Sequence, residues 1–175
     1  MSLAAAHDVK LIYRAIEKKR YQRWLHTTFG PGISINPHVA AFALVSRVVD
    51  DYLRGLASKP LGIFISDENK EIVADIEKSI RVLRGTGGNL HLGQIIEKGF
   101  FIQSQKSLPL QLCDLFALSL RKREEIKIGL PPKAIDESGI QLAESLVHRG
   151  NEAYRDVIAW LTQQHAERNK EATRE

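Results

Sequence analysis

The sequence predicts an α/β fold, because short apolar segments alternate along the chain with longer amphipathic ones. Residues 61–66 (LGIFIS) follow Pro60 as continuous apolar sequence, which predicts a central strand covered on both faces. Residues 100–102 (FFI) form a second short apolar run, and each run is followed by a helical pattern. This order favours parallel strands joined by right-handed crossovers.

Composition narrows the class of protein. The chain has 175 residues, of which 43% are hydrophobic and 26% charged, as expected for one soluble domain with a single core. No apolar run approaches the roughly 20 residues of a membrane span, so no membrane association is expected. One cysteine excludes a disulfide framework and predicts a reducing, cytoplasmic location. The six histidines lack metal-site spacing, and the net charge of +4 permits a nucleic-acid partner.

The first elements are a strand followed by a basic segment. Residues 9–18 alternate as a strand would, although Val9, Ile12 and Tyr13 also fit one helical face. The basic residues that follow are interleaved with Tyr21 and Trp24, a pattern that can bind phosphates and stack bases or form a solvated face. The candidate nucleic-acid contacts, here and at the end of a later helix, are Lys18, Lys19, Arg20, Arg23, Arg121, Lys122 and Arg123.

Two amphipathic helices are predicted next. Asn36 and Pro37 are typical of a helix start, and the helix should run to about Leu56. Its predicted inner face is Val39, Phe42, Ser46, Val49 and Leu53. Asp50 and Asp51 are expected to be solvated or paired with Arg47 and Arg54. The second helix, 69–84, should bury Ile72, Ile76, Ile80 and Leu83 and end at Gly85.

Residues 100–121 predict a strand, a tight turn and a buried helix capped by Ser107, with Pro109 in its first turn. Ser107, Gln111, Asp114, Leu118 and Arg121 should share one stripe of that helix. A carboxylate in a buried helix requires a cleft, a cation or a metal, so Asp114 is a candidate site residue. The alternative is a structural pair with Arg121 or Arg47. Asp67, at the end of the 61–66 strand, either faces a ligand or caps the next helix.

Pro131-Pro132 marks a boundary, so we divide the chain into an α/β domain (1–130) and a helical extension (131–175). The extension is predicted to contain two amphipathic helices, at about 137–148 and 152–168.

Two segments resemble domain-of-unknown-function family 3800, whose fold is ribonuclease-H-like. Residues 62–67 (GIFISD) resemble the family's strand that ends in Asp, and 101–114 (FIQSQKSLPLQLCD) its turn followed by a Ser-x-x-x-Gln-x-x-Asp helix. The likeness spans roughly residues 9–124. It implies a three-layer fragment, a mixed sheet with flanking helices, followed by the C-terminal helical pair.

The resemblance also implies a function, which is metal-dependent cleavage of nucleic-acid phosphodiester bonds. Asp67 and Asp114 would be catalytic residues and, with Glu68, ligands of Mg²⁺ or Mn²⁺ that bind weakly. Ser104, Ser107 and Gln111 would fix the turn and orient the ligands. RNA or DNA would be the partner.

This chain departs from the family pattern at two places. Gln103 stands where the family's turn has Asp, and no segment before Val9 can be the family's first strand, which ends in Asp-Glu-Ser-Gly. Asp136-Glu-Ser-Gly139 is predicted to open a helix instead. Loss of that central strand should divide the sheet. We therefore expect one of three situations: the chain is a fragment, a second copy or a partner completes its sheet, or its N-terminal segment packs differently. The alternative function is a non-catalytic binding or assembly module that pairs through an exposed sheet edge.

Overall fold

The computed structural model describes residues 9–67, 73–85, 91–96, 99–131 and 137–150, together with Thr162, His165, Ala166, Asn169 and Lys170. In chain order the elements are β1 (Leu11–Ile12), α1 (Lys18–Phe29), α2 (Pro37–Gly55), β2 (Ile65–Asp67), α3 (Val73–Gly85), β3 (Phe100–Ile102), a 3₁₀ turn (Ser104–Lys106), α4 (Leu108–Lys127), α5 (Glu137–Leu146) and β4 (Val147–Arg149). The predicted mixed α/β class is confirmed. None of the helices within these ranges has the length and apolarity needed to cross a membrane.

The described strands form two separate parallel pairs, β1 with β4 and β2 with β3. In the second pair Ile65 lies opposite Phe100 and Asp67 opposite Ile102, and Gly62 forms a further bridge to Ile95. The chain between β2 and β3 includes α3, so the predicted parallel strand-helix-strand order is present here. A ribonuclease-H-like sheet divided by the loss of its central strand, and the three-layer arrangement around it, stay predictions.

Two predicted helix starts are confirmed by their capping bonds. The side chain of Asn36 accepts a hydrogen bond from the His38 amide at 2.9 Å, and Pro37 is the first residue of α2. Ser107 Oγ accepts from the Leu110 amide at 3.4 Å, with Pro109 in the first turn of α4. Each cap satisfies an amide that has no carbonyl partner within its own helix.

Two predicted elements are present but shorter than expected. The strand at 9–18 covers only Leu11–Ile12, and helix α1 begins at Lys18, where burial of Tyr21 and Leu25 four residues apart gives it an inner face. The helix predicted to reach His148 ends at Leu146, and 147–149 pair with β1 as β4, with Val147 opposite Leu11. Most of the predicted helix 152–168 lies outside the described residues, as do Glu68, Ile72 and Asp136.

The best-defined core cluster joins α4 to α5 and β1. Phe116 and Leu120 of α4 pack with Ala143 and Leu146 of α5, and Leu11 lies against this cluster. α3 buries Ile76 and Ile80 as predicted. On α2 the buried set is Leu44, Ser46 and Asp50, so only Ser46 of the predicted inner face is fully buried.

The prediction that β2 is covered on both faces is wrong. Phe64 points inward and meets Phe42 of α2 with ring centroids 5.3 Å apart. Three residues at alternate positions of the 61–66 segment are exposed instead, as are two residues of β3. We call the surface that they form the open face: Leu61, Ile63, Ile65, Phe100 and Ile102. Helix α4 is likewise half exposed rather than buried, because Leu108, Leu115 and Leu118 lie on its surface.

Candidate functional site

The predicted site is centred on the end of β2. Asp67 is the last residue of the strand, its side chain is exposed, and its Oδ1 accepts a hydrogen bond from the Ser104 amide at 2.9 Å. Ser104 begins the 3₁₀ turn directly after β3, the strand beside β2. The carboxylate therefore joins the ends of the two strands and keeps Oδ2 available to another partner.

Gln111 holds the same turn from the other side. Its Nε2 donates to the carbonyl oxygens of Ser104 and Gln105, both at 3.2 Å. Ser107, which lies between the turn and Gln111 in the sequence, caps α4. Asp67, Ser104 and Gln111, three residues predicted for the site, are thus connected through direct hydrogen bonds, and Ser107 belongs to the same turn.

Asp114 lies on α4 three residues after Gln111, so the two side chains are neighbours on the helix surface with Cβ atoms about 5–6 Å apart. The prediction that this part of α4 is buried is wrong, because Asp114 is exposed. Its charge affects the adjacent residue: burial raises the pKa of the Cys113 thiol, and the negative charge of Asp114 raises that pKa further.

The alternative that Asp114 forms a structural arginine pair is wrong. Arg121 lies 3.5 Å from Glu125, and Arg47 lies 2.9 Å from Asp51. Within the described ranges, neither Asp67 nor Asp114 is bound by an arginine. Those ranges also contain no cluster of three or more His, Cys, Asp or Glu side chains that could hold a metal ion. Glu68, the third predicted ligand, lies outside them.

The candidate nucleic-acid residues are in two different situations. On α1, Lys18, Lys19 and Arg23 are exposed, whereas Arg20 is partly buried. The aromatic neighbour Trp24 is engaged inside the chain, because its Nε1 donates to Thr162 Oγ1 at 2.8 Å and its ring meets Phe29 edge-on. Base stacking on Trp24 would compete with these contacts.

The second basic group, at the end of α4, is partly committed to a polar network that the sequence did not indicate. Arg123 Nη1 donates to Tyr13 Oη at 2.8 Å, and Arg123 Nε pairs with Glu144. Buried Glu124 accepts from Tyr13 Oη at 2.8 Å and from Lys127 Nζ at 3.2 Å. Arg121 and Lys122 lie outside this network, so they remain the better placed candidates for phosphate contacts.

Another polar feature was only partly expected. Asp50 is completely buried rather than solvated, and its Oδ2 lies 2.7 Å from Arg54 Nε in an ion pair. Its Oδ1 accepts from the Gln94 amide at 2.6 Å, while Arg54 Nη2 donates to the His91 carbonyl at 2.7 Å. The pairing follows from the i, i+4 spacing, but the burial depends on residues 91–95, which are distant in sequence.

A separate cleft of about 660 Å³ lies where the N-terminal ends of three helices meet. Its polar lining includes Lys18, Tyr21 and Gln22 of α1, Asn36 and His38 at the start of α2, and Asp75 in the first described turn of α3. Local sequence indicates that Lys18 is a basic candidate and Asn36 a helix cap, but the meeting of the three helix ends depends on contacts between distant segments.

Comparison with known proteins found no match: no protein-family model, no curated protein and no solved structure resembles the chain closely enough to be reported. The resemblance to domain-of-unknown-function family 3800 therefore stays a prediction based on the quoted residues.

Proposed function

We propose that the chain is a nuclease-like phosphodiesterase that depends on a divalent metal, with Asp67 and Asp114 at the metal. The observation that carries the proposal is the hydrogen-bonded connection from Asp67 through the Ser104 turn to Gln111, one helical turn before Asp114. This connection fixes the end of β2 against the start of α4. Gln111, one helical turn before Asp114, is thereby held at the same turn that Asp67 binds, and this supports a shared site for the two carboxylates.

The donor set suits Mg²⁺ or Mn²⁺, which prefer oxygen ligands and keep several waters or substrate phosphate oxygens in their shell. Two exposed carboxylates without an arginine partner can supply oxygens at little desolvation cost. A divalent ion bound there supplies Lewis acidity toward a phosphate oxygen and lowers the pKa of a bound water. Gln103 is neutral where the resembled family has a carboxylate, so we expect weak metal binding.

The remaining residues position these groups. Gln111 and Ser104 hold the turn, and Ser107 fixes the first turn of α4, the helix that carries Asp114. Arg121 lies seven residues beyond Asp114 and shares its side of the helix, where it can contact a phosphate of the nucleic acid.

The test is cleavage of single- and double-stranded RNA and DNA by the purified chain with Mn²⁺ or Mg²⁺. We expect activity that EDTA abolishes and that Asp67→Asn and Asp114→Asn each reduce at least about a hundredfold. Asp51→Asn is the matched control, because Asp51 is another partly exposed carboxylate that pairs with Arg47 elsewhere. Absence of cleavage with every substrate and metal, or full activity in Asp114→Asn, contradicts the proposal.

The open face supports a second candidate function, self-assembly with another copy of this chain. Leu61, Ile63 and Ile65 are 62%, 51% and 57% exposed, and Phe100 and Ile102 are 53% and 39% exposed. Together they present roughly 500 Å² of apolar surface, near the upper end of the patches found on monomers. A parallel strand pair normally has both faces covered, and a stable interface requires about 800 Å² per partner. The open face would supply the apolar centre of such an interface.

This second candidate predicts a dimer that depends on the open face. Light scattering over a range of concentrations should show a dimer for the wild type and a monomer for Ile63→Lys. Leu130→Lys, which places the same charge at an exposed leucine after α4, should leave the dimer intact. A wild type that is monomeric at all concentrations, or an Ile63→Lys variant that remains dimeric, rules out this interface.

A further inference from the structure

We propose that the cleft between the N-terminal ends of α1, α2 and α3 binds a phosphate monoester. Its volume of about 660 Å³ is within the usual range of small-molecule sites and is sufficient for a mononucleotide. The proposal uses none of the carboxylates of the phosphodiesterase site and is independent of it.

The electrostatics of the cleft favour an anion. Neither α1 nor α2 has an acidic residue in its first turn, and α2 is capped by the neutral Asn36, whereas Glu17 at the N-cap of α1 offsets part of the positive charge of that helix end. Lys18 adds a full positive charge at the first residue of α1, where its own helix dipole disfavours it. A bound phosphate would lie favourably near both helix ends and pair with the Lys18 ammonium.

Tyr21 is independent evidence for a ligand that accepts hydrogen bonds. It lines the cleft, is 3% exposed, and stacks on Trp24 with ring centroids 6.0 Å apart. No group in the described part of the chain forms a hydrogen bond with its hydroxyl. Burial raises the pKa of Tyr21, so the hydroxyl stays protonated and able to donate. Tyr21 lines the cleft, so a phosphate oxygen bound there would provide an acceptor for this hydroxyl.

Asp75 determines what else the ligand must carry. It is the acidic residue in the lining and lies in the first described turn of α3, so it would repel a second anionic group but accept hydrogen bonds from hydroxyl or amino groups. Gln22 and His38 add further polar contacts. The cleft therefore suits a single terminal phosphate attached to a hydroxyl-bearing body, such as a free mononucleotide or the phosphorylated end of a nucleic acid.

Calorimetric titration of the full chain in EDTA, with inorganic phosphate, adenosine monophosphate and adenosine, tests the site without any metal-dependent step. We expect saturable binding of adenosine monophosphate and none of adenosine. Lys18→Gln should weaken binding about tenfold or more, and Tyr21→Phe, which keeps the ring packing, about three- to tenfold. Lys19→Gln removes the same charge from the adjacent exposed position and should change affinity by less than about twofold.

Two further arms distinguish the source of the phosphate. A nucleic-acid end is the ligand if a 5′-phosphorylated oligonucleotide binds more strongly than its 5′-hydroxyl form and if Lys18→Gln removes this difference. A free small molecule is the ligand if the mononucleotide binds but the two oligonucleotides bind equally. The proposal fails if adenosine binds as well as adenosine monophosphate, if neither phosphate ligand binds at millimolar concentration, or if Lys18→Gln and Lys19→Gln weaken binding equally. Circular dichroism of each variant provides the folding control.

Discussion

The carboxylate of Asp67 accepts a hydrogen bond from the backbone amide of Ser104 at 2.9 Å, across the ends of two neighbouring parallel strands. Before any ligand is considered, this bond fixes the turn from which α4 begins. A residue predicted as a metal ligand thus also has a structural role, and the two roles can be separated by the choice of substitution.

Asp67→Ala should lower the free energy of unfolding by about 1 kcal/mol, because the Ser104 amide loses a charged acceptor but can still bind water. Asp67→Asn keeps an oxygen acceptor and should lower it by less than about 0.5 kcal/mol. Urea denaturation of both variants measures the difference. Equal losses would contradict this expectation, because they would show that a neutral amide oxygen cannot replace the carboxylate as the acceptor.

Asp50 and Asp51 are adjacent residues with opposite environments. Asp50→Ala should lower the free energy of unfolding by about 3–5 kcal/mol, since it leaves Arg54 and the Gln94 amide without their partner in the interior. Asp51→Ala removes a partly exposed pair with Arg47 and should cost less than about 1 kcal/mol. Thermal and urea unfolding compare the two, and similar values for both would contradict the burial of Asp50.

What the sequence could predict was local. The caps at Asn36 and Ser107, the helices that follow them, and the strand-helix-strand order of β2, α3 and β3 all depend on residues within a few positions of one another. The turn after β3 was likewise indicated by the local sequence, while the turn-fixing role of Ser104 and Gln111 was implied by the family resemblance. The structure connects these two residues by a direct hydrogen bond.

What could not be predicted depends on contacts between distant segments. A continuous apolar run such as 61–66 indicates a strand but does not reveal which face a partner covers, so the exposure of Ile63 was missed. Val147 follows α5 without a break, and its strand is determined by pairing with Leu11, 136 positions earlier in the chain (147 − 11). The same limitation applies to the phosphate cleft, whose three helix ends meet only in the folded chain.

Gly150 leaves no room for a side chain. A Cβ atom there would lie 2.8 Å from Tyr13 Cε1 and 3.2 Å from Val147 Cγ1, and Tyr13 is held in place by its bond to Glu124. Gly150→Ala should therefore lower the free energy of unfolding by about 1–3 kcal/mol. Gly55→Ala, at the last residue of α2, has no heavy atom within 4 Å and should be neutral or raise stability by up to about 1 kcal/mol. Chemical denaturation tests both; no loss in Gly150→Ala would mean that β1 and β4 separate easily.

The thiol of Cys113 should report the charge on Asp114. Burial of the thiol and the neighbouring carboxylate both raise its pKa above the ordinary value of about 8.5, so at pH 8 less of it is the reactive thiolate than in a free cysteine. Alkylation by iodoacetamide should be slow at pH 8 and rise with pH to a midpoint above the ordinary one. Asp114→Asn removes the electrostatic contribution, which lowers the pKa and should speed the reaction at pH 8 by about twofold or more.

Asp75→Asn is the control for this measurement and should leave the rate unchanged, because Asp75 lies on a different helix and does not contribute to the pKa of Cys113. Mg²⁺ does not favour thiolate ligands, so it should not block the thiol directly. If it binds at Asp114, it offsets the carboxylate charge and should accelerate alkylation of the wild type. It should have no effect on the rate in Asp114→Asn. The rate therefore measures metal binding at this position without any nuclease activity. An alkylation rate that is the same in the wild type and Asp114→Asn at every pH would show that Asp114 does not act on the thiol.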